Sequence, residues 1–186
     1  MILNDETIKG MLYQLFDFYK SSATEGEIEE QINPNSIDLT LDRHIMRMNG
    51  HSTVVYGEDN SNCWKYHYDT EDNLLIKPNE CILCCTREYL VMPPNICGQV
   101  FTKSTLGRMF VNHMMAGVVD AGFEGKLTLE FKNDSQNDII IPFDSRVVQL
   151  VYMQLCEKAK EPYNMRKSRY KWAEKCEAAK SEVVYG

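Results

Sequence analysis

The sequence has no stretch approaching the roughly 18 consecutive apolar residues that a membrane-spanning helix needs, so no such helix is expected. Its opening, "MILNDETIKGMLYQLF", lacks the basic flank and unbroken apolar centre of a secretory signal peptide, and none is expected. Positive charge is also scarce. Lys and Arg number 20 against 27 Asp and Glu, a formal net charge of −7. An acidic chain is poorly suited to general attraction by a nucleic-acid backbone, so no nucleic-acid partner is expected. A local group of Lys and Arg can still hold a small anion. Repeats and low-complexity segments are absent. The seven cysteines are odd in number and irregular in spacing, which favours reduced thiols and a cytoplasmic protein over a disulfide framework. One C-x-x-C occurs, in "ECILCC", with no second ligand pair at a zinc-site spacing, so a buried strand is the expected reading there.

What is present fits one globular domain of 186 residues, with 44% hydrophobic and 25% charged residues. Apolar residues at helical spacing over residues 5–20 predict a helix capped by Asn4 or Asp5. "SSATEGEIEEQINPNS" reads as a polar link, and "SIDLTL" as a strand. Residues 49–73, rich in Asn, Asp, Gly and Ser, read as a surface excursion with one or two short strands. From Leu74 to Leu155 short β runs alternate with turns such as "PPN", "DAGFEG" and "NDSQND", which predicts a mainly β barrel or sandwich. The end of the chain is charged, with interleaved aromatics; it is either a solvated tail or a segment that folds over a ligand.

The segment from Lys103 to Phe131 concentrates polar chemistry among apolar runs. Ser104 and Arg108 are four residues apart and share a face if "STLGR" is helical. Asp120 lies between Gly117 and Gly122, where an Asp is either a turn former or a ligand contact. In "KLTLEF" the alternation sets Glu130 on the face opposite Leu129 and Phe131. That face is either solvated or part of a polar pocket in which a carboxyl group moves protons.

Six segments in order resemble the dCTP deaminase family, which shares its fold with the trimeric dUTPases. They are "MILNDETIKGML", "INPNSIDLTL", "KSTLGR", "AGVVDAGFEGKLTLEF", "SRVVQLVY", and "EPYN" followed by "SRY". The resemblance implies a mainly β, dUTPase-like distorted barrel or jelly roll with a short N-terminal helix, assembled as a homotrimer with sites shared between subunits. Residues 1–156 would form that domain and residues 157–186 a tail or lid over the nucleotide. It implies hydrolytic, metal-independent deamination of dCTP to dUTP and ammonia, with dTTP as feedback inhibitor. Mg²⁺ would accompany the triphosphate, without zinc. The alternatives are a dUTPase that does not deaminate and an inactive nucleotide-binding regulator.

By the same resemblance Glu130 is the proton shuttle, and Ser104 and Arg108 position water and base. Asp120 is the sugar-side acid, which in dUTPases orients the water that attacks phosphorus. Phe123 packs on the deoxyribose. Ala116 holds water and the pyrimidine edge, while Lys103, Gln149, Tyr163, Arg169 and Tyr170 reach the triphosphate or base. "AGVVDAGF" is closer to the forms that continue to dUMP and pyrophosphate. Lys103 stands where the family has arginine, and Met109-Phe110 where it has Leu-Gly. None of the four histidines begins the H-x-E of the zinc-dependent deaminases, so that class is not expected. The polar insertion suits a viral or phage member, working in a host cytoplasm.

Overall fold

The computed structural model describes residues 1–50, 53–113 and 117–181. Asn4 caps the first helix, α1 (Asp5–Gly10), accepting the Thr7 N–H at 3.1 Å. This satisfies one of the donors a first turn leaves over. The single helix expected over residues 5–20 breaks at Met11 and resumes as α2 (Leu12–Leu15). Gly10 is a poor helix former, and Phe16 turns extended to bridge Leu90. The expected polar link contains another helix, α3 (Glu25–Glu30). Thr24 and Glu27 close a capping box at its start, and Ile28 is its buried anchor.

The strands follow as β1 (Ile32–Asn33), β2 (Ser36–Thr40), β3 (His44–Met48), β4 (Trp64–Tyr68), β5 (Asn73–Ile76), β6 (Cys81–Val91) and β7 (Ile96–Thr102). After helix α4 (Ser104–Arg108) come β8 (Val111–His113), β9 (Val118–Val119), β10 (Glu124–Asn133), β11 (Ile139–Pro142) and β12 (Arg146–Gln154). One sheet has the order β1-β2-β12-β7-β9, a second β4-β3-β6-β10-β8, and β11 pairs with β5. Every pairing between these strands is antiparallel.

The core contains Ile37, Leu39, Leu129, Phe131, Leu150 and Tyr152, each almost fully buried. Burying one such aliphatic or aromatic side chain contributes about 1.5–3 kcal/mol. Two buried charged residues beside this core are held by partners. Glu88 is fully buried and accepts from Gln31 Nε2 at 2.8 Å and Thr40 Oγ1 at 2.6 Å, which ties the end of α3 to β2 and β6. Lys126 is also buried; its Nζ donates to Asp42 Oδ2 at 2.6 Å and to Ser22 Oγ at 2.7 Å. The bond to Asp42 fixes the start of β10 to the end of β2.

β8 covers only the last part of β10, pairing with Phe131, Lys132 and Asn133. The C-terminal segment lies along the first part. Trp172 N donates to Glu124 O at 2.7 Å, and Lys126 N to Ala173 O at 2.7 Å. Gly125 and Ala173 form a parallel bridge, and Glu177 N donates to Thr128 Oγ1 at 3.1 Å. The tail thus satisfies backbone groups that a bare strand edge would leave open.

Candidate active site

A cavity of about 740 Å³ lies where the tail crosses β10. Asp120, Phe123 and Glu130 line it from the β9–β10 segment, and Tyr163 and Tyr170 from the tail. The turn between β9 and β10 is tight: Phe123 N donates to Asp120 O at 3.0 Å. This turn leaves the Asp120 side chain exposed and Phe123 buried, with the Phe123 ring tilted against Tyr163 at 5.8 Å between centroids.

Two glycines let the tail come this close. Gly122 has φ +83°, and a Cβ there would stand 2.6 Å from Pro162 Cβ and 2.9 Å from Tyr163 N. At Gly125, φ +149°, a Cβ would stand 3.0 Å from Ala173 N. Neither position accepts a side chain without moving the tail.

Glu130 lies opposite Leu83 on β6, with Leu129 and Phe131 turned into the core on either side. Its Oε2 is buried and has no hydrogen-bond partner among the described residues. Both ring nitrogens of His113 are in the same condition. Nδ1 of His113 and Oε2 of Glu130 are 3.6 Å apart, beyond a hydrogen bond. Burial raises the pKa of the Glu130 carboxyl above the ordinary range, against a smaller opposing pull from its own backbone. Burial also lowers the pKa of the His113 imidazole, with the Glu130 backbone pulling the other way. A carboxyl that holds its proton more tightly beside a neutral imidazole suits acid–base work. Orphaned buried polar atoms are rare in folded proteins, and a catalytic role is one recognised reason for them.

A second hollow, of about 810 Å³, shares Asp120, Tyr163 and Tyr170 with the first. Arg166, Lys167 and Arg169 border it, so three cations lie beside two acidic side chains, Asp120 and Glu161. Arg169 is tied to Lys180, whose Nζ donates to the Arg169 carbonyl at 2.8 Å.

Ser104, Arg108, Gln149 and Lys103, also expected at the site, do not line this cavity. Ser104 and Arg108 are exposed on α4. Gln149 is half-buried on β12, between Asp38 and Phe101 in register. Lys103 is the residue before α4, and its ammonium is hydrogen-bonded to the buried Asp38 carboxylate, which Arg146 also approaches at 3.9 Å. Ala116 lies outside the described residues. Sequence reasoning missed His113, Arg166, Lys167, and the wall of the cavity formed by Met48 and Trp64. The basic run "NMRKSR" was a legible signal for the cations, whereas no pattern marked the others. Among the described residues no three His, Cys, Asp or Glu side chains gather as a metal site. No helix among them is long and apolar enough to cross a membrane.

The family model described as "dCTP deaminase-like" matches residues 2–155. A protein named "dCTP deaminase, dUMP-forming" from a Sulfurihydrogenibium species is 34% identical over 179 residues, covering 88% of this chain and 89% of its own length. A protein of the same name from Methanobrevibacter smithii is 30% identical over 191 residues, covering 98% of this chain and 95% of its own. Among solved structures, the 2′-deoxycytidine 5′-triphosphate deaminase from Agrobacterium tumefaciens has a TM-score of 0.64 at 20% identity over 81% of this chain. The match spans about half of that solved chain, 47% of it, and shows the shared fold.

Proposed function

The chain belongs to the dCTP deaminase-like family, and from that membership we propose that it deaminates dCTP hydrolytically and carries the dUTP on to dUMP and pyrophosphate. The observation that carries this reading is Glu130, with a buried, unpartnered carboxyl oxygen in a cavity also lined by Asp120 and Phe123. The dUMP-forming names of the relatives support the second step.

In this reading Glu130 accepts a proton from water as the water oxygen bonds to C4 of cytosine, and delivers it to ring N3. A second proton passes through the same carboxyl from the new hydroxyl to the amino group. The C4–N bond then breaks and ammonia leaves. The raised pKa of Glu130 brings its two protonation states closer in energy at neutral pH, as a shuttle requires. Phe123 packs on the deoxyribose. Asp120 orients the water that attacks phosphorus, and Arg166, Lys167 and Arg169 draw in the triphosphate.

Mg²⁺ travels with the triphosphate, neutralising part of its charge. Such an ion needs few protein ligands, and Asp120 and Glu161 are the carboxylates beside that hollow. The tail, residues 157–186, acts as a lid, with Tyr163 and Tyr170 closing on the nucleotide. Ser104, Arg108, Gln149 and Lys103 serve the site of a neighbouring subunit in a homotrimer, which fits their absence from the lining of their own cavity. dTTP competes for the same cavity. The enzyme works in the cytoplasm, that of a host if the source is viral, in keeping with its seven free cysteines.

The test is incubation of the purified protein with dCTP, dUTP, dCMP and CTP in Mg²⁺, with products resolved by chromatography. Ammonia, dUMP and pyrophosphate from dCTP are expected. Cleavage of dUTP with no ammonia from dCTP would overturn the deaminase reading.

A further inference from the structure

The polar excursion between β3 and β4 brings its two ends into the active cavity. Met48 is in register with Trp64, Met46 with Leu83, and Leu83 with Glu130. Residues in register, and those two apart along a strand, face the same side of a sheet. Trp64, Met48, Leu83 and Glu130 therefore share one face, and all four line the cavity. Trp64 is held by packing on the buried group of Leu83, Cys85 and Cys176. On the β3–β4–β6 side of Glu130 the wall is thus an indole, a thioether and an isobutyl group, with Cys81 at its edge, while Thr128 continues the β10 side.

We propose that this wall selects the base, accepting a small uncharged substituent on C5 of cytosine and rejecting a charged one. The proposal rests on the deaminase reading above, in which Glu130 serves N3 and C4. C5 is bonded to C4, so a group on C5 lies next to the atom that Glu130 serves, within reach of the side chains that share its face. A flexible thioether and a broad ring adapt to an added methyl or hydroxymethyl group. Neither offers a partner to a buried charge, which is costly to desolvate.

The experiment compares dCTP with its 5-methyl, 5-hydroxymethyl and 5-carboxyl derivatives, reading both kcat/KM and, by calorimetry, Kd. A methyl group that a pocket does not fit costs roughly 10- to 200-fold. Here the 5-methyl compound is expected within threefold of dCTP, and the 5-carboxyl compound at least a hundredfold worse. Met48→Asp, at a residue 46% exposed and so not needed for the core, should lower the 5-methyl to dCTP ratio at least tenfold. A wild-type ratio below one-tenth, equal acceptance of the carboxyl compound, or an unchanged ratio in Met48→Asp would overturn the proposal. Should no compound be turned over, the deaminase reading falls, and the ratio of Kd values decides this one separately.

Discussion

Glu130 and His113 face each other across 3.6 Å with no hydrogen bond between them, although both side chains are largely buried. Their burial disfavours charge on each, raising the acid's pKa and lowering that of the base. Glu130→Gln should therefore reduce deamination by at least a thousandfold while nucleotide Kd changes less than about fivefold. Turnover retained in that variant would remove Glu130 from the shuttle role.

The same burial affects stability. A carboxyl whose folded pKa lies above its unfolded value binds protons more tightly when folded. Its stabilising contribution is complete below the unfolded pKa and is lost as pH rises through the folded one. Glu130→Gln, which cannot ionise, should be more stable than the wild type at pH 7–8 and should lose that advantage near pH 4. Thermal melts of the two proteins across this range give the comparison; a constant difference in Tm would show that ionisation of Glu130 is not involved.

Asp120→Asn should slow pyrophosphate release at least as much as ammonia release, because the turn gives Asp120 to the hollow bordered by the three cations. Equal pyrophosphate yield from variant and wild type would count against a water-orienting role.

Gly122→Ala forces a side chain into a left-handed backbone position already occupied by Pro162 and Tyr163. A cost of about 1–2 kcal/mol is expected from the conformation alone. Limited proteolysis should cut residues 160–175 faster, and KM should rise. An unchanged cleavage rate would separate the tail from this turn.

Lys126 and Asp42 form a buried ion pair, with side chains 4% and 6% exposed. Removing one partner, as in Asp42→Leu, should cost about 3–5 kcal/mol in denaturant unfolding, and Lys126→Met in the same chain should restore most of it. Equal loss in the single and double variants would mean that Ser22 and local packing, rather than the pair, hold β10.

Much of the candidate site was legible because it lies in one short segment. Asp120, Phe123 and Glu130 sit within eleven residues, on a glycine turn and a strand whose alternation is plain in "KLTLEF". The rest depends on register between strands far apart in sequence. Nothing local pairs Met48 with Trp64, brings His113 beside Glu130, or joins Lys126 to Asp42 across 84 residues. Lys103 shows the limit from the other side. Its position before "STLGR" points to an anion, yet its ammonium meets Asp38, 65 residues away. Helix α3 was readable in the Thr-x-x-Glu spacing, where a high polar content masked a single buried Ile28.

The order of synthesis gives the tail's position a further meaning. Residues 163–177 follow every described strand and attach to the backbone of β10 and to the turn before it. A chain emerging from the ribosome has its strands available before this segment exists. Tyr163 and Ala173 bond to the turn at Gly122 and to β10, so the pieces they bind are made before they are. A chain cut short before Tyr163 would therefore lack the whole segment that walls the cavity opposite β10.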